Sequence, residues 1–448
     1  MKKVLLGMLL VVLVVVAIAC APAATPAPTA APATAAPKPT TAPATAAPVA
    51  PTTAPAAPTT AAAPLKIGLL SDQTGGLAIY GPMLEQGFAM GLDYATGGTN
   101  AVNGRPIQVD IRDTASKPDV GTQVARDLIE KENVDILVGP PSSSVALAVA
   151  ELAKQNKKIL VASPAASSDI TGKNFNPYVF RTGRTSDQDA LTMGAALTKS
   201  AKKFLQIAPD NAFGQASAAG FYAVLKAGGG TFVKNDSADK FGTVFIPADA
   251  KDYTAYLQQV LDSKPEVLVV TWAGDFTALF TQMTQLGVFK TITVATGMGD
   301  NQTLKKGYAT AIGSVGVSVY HYSLPKNAVN DWLVQKSQDK YKAPPDLFTE
   351  GGFTAAQMVV AGLKATNGDS NADKLIPVFE KLSFDGPKGT YTVRAYDHVM
   401  LQTLYLVKLA NVTDANFKFF ELVTELKPED TAPPCKLEGD YKSRCPAK

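Results

Sequence analysis

The chain is short of the residues that most often carry chemistry. Its 448 residues include two histidines, two tryptophans and three cysteines. So few histidines, with no cysteine cluster, leave little for a transition-metal site. No oxygen-rich loop of the EF-hand type is present. Neither the G-x-x-x-x-G-K-[ST] phosphate loop nor the G-x-S-x-G elbow of serine hydrolases occurs. A serine nucleophile would need a base, and only His321 and His398 exist to serve. Nothing calls for a cofactor. An excess of one charge is also missing. Lys+Arg number 42 against 39 Asp+Glu, and Lys2, Lys3 and Lys38 hold the whole formal excess of +3. Residues 65–448 are thus formally neutral, without the basic footprint that nucleic-acid binding leaves. Beyond residue 19 no apolar run approaches the roughly 18 residues of a membrane span.

What is present begins at the first residues. Lys2 and Lys3 precede an apolar run from Val4 to Ala19, and Cys20 follows. This resembles a bacterial lipoprotein signal: 1–19 removed, Cys20 lipidated, with Ala17 where Leu is usual. Ala21 to Pro64 is Ala, Pro and Thr apart from Lys38 and Val49. Such a segment cannot form a core, and it is expected to be a PPII-rich tether reaching at most ~140 Å. Residues 20–64 would then hold a globular body on the outer face of the cytoplasmic membrane, through the lipid alone. At the other end, Cys435 and Cys445 in "CKLEGDYKSRC" predict a local disulfide within a tail at 426–448.

The body alternates short β-rich runs with amphipathic ones. "LKIGLL", "PIQVDIR", "VDILVG" and "KILVA" are each followed by a helical pattern, and the rhythm restarts after "YVFRTGRTSDQ" with "KFLQIA", "EVLVVT" and "TITVAT". Two such series predict two similar α/β lobes, each with a mainly parallel sheet flanked by helices. Ligands of open parallel sheets sit beyond the carboxyl ends of the strands. The loops to watch are therefore Ser71–Tyr80, Gly139–Ser144, Ser163–Ser168, Asp210–Phe213, Trp272–Asp275 and Thr296–Asp300.

Ser142, Ser143 and Ser144 stand where a strand hands over to a helix, so one of them should cap it. Such a turn also offers free N–H groups to an anion. "SPAASS" at 163–168 forms a second turn of the same kind. Two turns of small residues can surround one carboxylate, with the Ser143 and Ser167 hydroxyls as further donors.

Several stretches in order then carry a resemblance: "IGLLSDQTGGLAIYG", "NGRPIQV", "ILVGPPSSSVALAVAELA", "ILVASPAASS", "FRTGRTSDQ", "NAFG" and "DYTAYLQQV". Over 65–425 the chain resembles the type I, Leu/Ile/Val-binding-like periplasmic solute-binding proteins of ABC transporters. The resemblance implies two lobes joined by three crossing strands, near Arg181–Arg184, Tyr320–Tyr322 and Val393–Asp397. The lobes would be 65–183 with 321–394, and 184–320 with 395–425. It implies a solute carboxylate held by Ser143, Ser144, Ala165 and Ser167, with Tyr80, Phe213 and Trp272 as aromatic walls. The acid that meets an amino-acid ligand's ammonium falls at Met298. Asp300, two residues on, either replaces it or caps the next helix. The disulfide some members carry near the serine loop is absent, its positions being Ser116 and Ser142. Arg394, Asp397 and His398 resemble a segment of subfamilies that bind aromatic carboxylates, and are read as ligand contacts or as a hinge cluster. The implied function is uptake of a small carboxylate, either an amino acid or an acid without an amine, for delivery to ABC permease subunits. A sensory ligand-binding subunit and a serine hydrolase are the alternatives.

Overall fold

The computed structural model describes residues 63–447; the signal segment, Cys20 and nearly all of the tether lie outside them. The described residues fall within one compact unit.

Six strands build the first sheet: β1 (Leu65–Ser71), β2 (Ala101–Val102), β3 (Arg105–Asp113), β4 (Ile136–Val138), β5 (Ile159–Ala162) and β6 (Val179–Arg181), in the order β2-β3-β1-β4-β5-β6. All neighbours pair in parallel except β2 with β3. The unbroken apolar runs are explained by burial on both faces. Ile136, Val138, Ile159 and Val161 enter one core, while Leu137, Leu160 and Ala162, one residue out of phase, enter the other. Helices α1 (Gly81–Thr96), α2 (Pro118–Glu130) and α3 (Ser143–Gln155) cover this sheet.

The second sheet repeats the plan with β7 (Lys203–Pro209), β8 (Thr231–Phe232), β9 (Thr243–Ile246), β10 (Val267–Val270), β11 (Thr293–Gly297) and β12 (Val315–Ser318). Its helices are α4 (Ser186–Ser200), α5 (Ala212–Ala227), α6 (Thr254–Ser263), α7 (Thr277–Gln285), α8 (Val288–Thr291) and α9 (Asn301–Gly307). The chain then returns to the first lobe. There α10 (Ala328–Tyr341), α11 (Thr349–Ala365) and α12 (Ala372–Phe379) join a hairpin sheet of β13 (Ser383–Gly386), β14 (Gly389–Arg394) and β15 (Val399–Leu401). Finally β16 (Leu404–Leu409) and β17 (Phe420–Leu426) complete the second sheet as antiparallel strands, with β17 at its edge.

Three segments therefore cross between the lobes, as expected, but the third is not near Val393–Asp397. β15 pairs with β14, and Met400 is buried in the first lobe's core, so the crossing falls at Gln402–Thr403. "MLQTLYLV", which looks like one strand, is two. Gln402 is buried between them and donates to the Thr182 carbonyl at 2.9 Å. Lys388 donates to Val319 O at 3.0 Å and to Gln402 Oε1 at 2.6 Å, so the buried ammonium and the Gln402 amide together tie the three crossings.

Cys435 and Cys445 are joined in a disulfide, and the tail around it lies on the first lobe. Arg444 pairs with Glu380 at 2.6 Å and sits over the Phe175 ring. No described helix is long and apolar enough to cross a membrane.

Candidate functional site

A cavity of about 560 Å³ lies between the lobes, at the carboxyl ends of both sheets. This is a common volume for a small-molecule site.

Its first-lobe wall is polar. Gly139 sets the turn with φ +95°, where a Cβ would fall 2.1 Å from Leu70 O. Ser142 then caps α3 by accepting from Val145 N at 3.4 Å. That leaves Ser143 and Ser144 on the first turn, lining the cavity. Ser143 Oγ accepts the N–H groups of Ala166 (3.2 Å) and Ser167 (3.0 Å), and among the described residues it donates to none. Its own proton is thus free for a bound acceptor.

The second loop presents a different residue from those expected. Ala166 lines the cavity; Ala165 and Ser167 do not. Successive residues of an extended loop face opposite sides, and the carbonyls of 165 and 167 both turn to the buried guanidinium of Arg181. The Ser167 hydroxyl accepts from Asp169 N at 3.3 Å and so caps a short turn, facing away from the cavity.

The second-lobe wall is aromatic. Asn211 caps α5 through Phe213 N (3.1 Å) and Gly214 N (3.0 Å). Phe213, Ser217 and Phe221, four residues apart, then share the helix face that lines the cavity. Trp272 follows β10 and meets Tyr253 edge-on at 5.5 Å. Met298 follows β11 and is 4% exposed, with Phe276 beside it in the lining. The lobes touch across the gap. The Tyr80 hydroxyl accepts Gly274 N–H at 2.9 Å, and burial pushes its pKa up. Gly274 has φ +85°, and a Cβ there would lie 2.4 Å from Gly76 O. Farther out, Asp346 of the first lobe accepts Asn301 N–H of the second at 3.1 Å.

Three acids line the cavity: Asp189, Asp249 and Asp275. The last two are exposed. Asp189 is buried and engaged by Arg184, Nε to Oδ1 at 3.2 Å and Nη2 to Oδ2 at 3.1 Å. Asp300 is not in the lining: its carboxylate caps α9 by accepting from Gln302 N and Thr303 N. Arg394 and His398 do not reach the cavity either, because the hairpin keeps them in the first lobe. Arg394 pairs with Asp397 and holds Pro433 O of the tail. His398 stacks on Phe180 at 3.8 Å and binds Val179 O and Glu380. His321 is bonded to Ser323 and Phe417 O, and burial pushes it down to about 4. Neither imidazole lines the cavity beside the serines.

Sequence reasoning missed Arg184, Asp189, Ser217 and Phe348, all of which line the cavity. Phe348 packs edge-on against Tyr80 at 4.6 Å. The four-residue spacing of Phe213, Ser217 and Phe221 was a signal for the helix face. For the Arg184–Asp189 pair there was none.

The family model of the periplasmic binding proteins matches residues 64–415. The chain belongs to this family. The fold of this periplasmic binding protein is shared by a solved ABC-type branched-chain amino acid transporter of Rhodopseudomonas palustris, at 36% identity and TM-score 0.70, covering 84% of this chain and 100% of that one. A solute-binding protein of the same organism, solved in complex with benzoate, is 25% identical with a TM-score of 0.72, covering 83% and 97%. A Leu/Ile/Val-binding protein homolog of Brucella suis is 25% identical over 82% of this chain and 93% of its own length. The present protein is thus a solute-binding component of ABC-transporter type, and its family places it outside the cytoplasm.

Proposed function

We propose that this protein captures a small acid with an apolar, preferably aromatic, body and no amine, and hands it to an ABC permease. One observation carries the reading. Among the described residues, the one buried carboxylate in the cavity lining is spent on Arg184, Asp300 is spent as a helix cap, and the apolar Met298 lines the cavity where the family resemblance implies the ammonium's partner. An ammonium enclosed there would have no buried carboxylate as its counter-ion, the other two lining acids, Asp249 and Asp275, being exposed, and that is costly. A carboxylate, by contrast, meets the Ser143 hydroxyl, the first turn of α3 and the Ala166 loop. Phe213, Phe221, Trp272 and Met298 suit a flat apolar body. The benzoate complex of a relative supports the same class. The protein would act by closing on its cargo without turning it over, tethered to the membrane through Cys20.

The test is to identify the solute that co-purifies with the protein, then to titrate benzoate, 4-methylpentanoate, leucine and phenylalanine by calorimetry. The expected result is binding of the acids and not of the amino acids. Tight leucine or phenylalanine binding with no response to either acid would sink the reading.

A further inference from the structure

The first crossing carries two buried guanidinium groups, Arg181 and Arg184, and they are provided for differently. Arg184 has Asp189. Arg181 is fully buried and donates only to neutral oxygens: the carbonyls of Gly183 (3.0 Å), Ser167 (2.9 Å), Arg184 (2.9 Å) and Ala165, and the Thr171 hydroxyl at 3.5 Å. Three acids lie near enough for Arg181 to feel their charge, namely Asp397, Asp187 and Asp189. Each is in contact with another cation: Asp397 with Arg394, Asp187 with Lys436, and Asp189 with Arg184. Among the described residues, then, Arg181 has no carboxylate of its own.

A buried charge calls for a partner. We propose that the partner of Arg181 is the solute's carboxylate, and that Arg181 is the positioning residue that sets the cavity for an anion. This rests on the reading under Proposed function. The link is a single peptide unit. The Ala165 carbonyl points to Arg181, and in a planar trans peptide the N–H of Ala166 must point the opposite way. It does so, toward Ser143 Oγ at 3.2 Å on the cavity wall. The guanidinium thus orients the peptide, and its charge acts through that dipole on whatever lies beyond. Burial draws Arg181 down to about 9, so the charge persists at neutral pH.

The test compares each acid with its uncharged amide: benzoate with benzamide, and 4-methylpentanoate with 4-methylpentanamide, by calorimetry. The wild-type protein is expected to prefer the acid by at least about tenfold. Arg181→Met should bring acid and amide toward parity, and Arg181→Lys should keep most of the preference. Thr171→Asp places an internal counter-ion beside Arg181 while leaving the arginine in place. It should weaken the acid about tenfold, spare the amide and raise the melting temperature of the empty protein. It also carries the test if Arg181→Met does not fold. A folded Thr171→Asp protein with an unchanged acid-to-amide ratio overturns the proposal, as does an Arg181→Met protein that loses acid and amide equally. Wild-type protein that binds neither acid overturns the functional reading and this inference together. Acid binding with an unaltered ratio overturns this inference alone.

Discussion

The two walls of the cleft are built from equivalent places in two similar lobes, yet they differ in kind. In the first lobe the turns after β4 and β5 hold Ser143, Ser144 and Ala166, which line the cavity, the Ser143 hydroxyl being held by the Ala166 amide. In the second lobe the turns after β7, β10 and β11 hold Phe213, Trp272 and Met298. The same strand-to-helix architecture thus supplies hydrogen-bond donors on one side and apolar area on the other. Directional bonds fix one end of a solute, while area contributes without regard to orientation. Under the proposed function, closing the lobes would bring the two kinds of contact onto one molecule, and ligand binding would thereby stabilise the closed state.

Removing the polar wall's central donor should break this division most strongly. Ser143→Ala deletes the hydroxyl and leaves two amides without their acceptor. Affinity for the acid is expected to fall about 10- to 100-fold by calorimetry, as for a lost hydrogen bond to a charged group. Ser167→Ala should leave affinity nearly unchanged, because its hydroxyl caps a turn on the far side. An equal loss from both would place the second loop wrongly. On the aromatic wall, Trp272→Ala should cost about tenfold in affinity through lost apolar contact. With Trp332→Phe removing the only other indole, Trp272 fluorescence should change on binding; a silent indole in a saturated complex would count against its place in the wall.

A smaller effect lies at the rim, where Asp346 meets the second lobe. Burial, and then the charge of Asp300, pushes Asp346 up to about 7. A carboxyl raised in the folded protein holds its proton between roughly pH 4 and 7, where the unfolded chain has released it. Its contribution to stability is therefore greatest below that window, falls as pH rises through it, and is flat above. Asp346→Asn should remove this slope. Unfolding of wild type and variant, compared at pH 5 and pH 8, measures it: the difference between the two proteins should shift between these pH values. A constant difference would show that Asp346 does not titrate in contact with the other lobe.

Much of this was legible in the chain itself. The alternating runs predict the sheets, and the rule that ligands sit beyond strand ends picks out loops that do line the cavity. Ser143, Ser144, Tyr80, Phe213, Trp272 and Met298 were named that way and by resemblance, and all six line the cavity. Ala165 and Ser167 were found one residue out of phase, because which side of an extended loop faces inward depends on where Arg181 lies. Arg394 and His398 were drawn toward the cleft by a crossing assumed too early. The strand pairing that holds them back, β14 with β15, cannot be seen in "GTYTVRAYDHVMLQTLYLV" without its neighbours.

The sequence by itself determined the layered α/β plan, the donor-rich turns at 142–144 and 163–168 and the formal neutrality of the body, since periodicity, turn chemistry and charge count are local or additive. Only the tertiary structure decided which charges meet. Arg184 with Asp189, Asp187 with Lys436 and Asp397 with Arg394 leave Arg181 without an acid among the described residues, and Lys388 with Gln402 links three crossings far apart in the chain. Electrostatic pairing depends on distance and burial, and these exist only once the chain has folded.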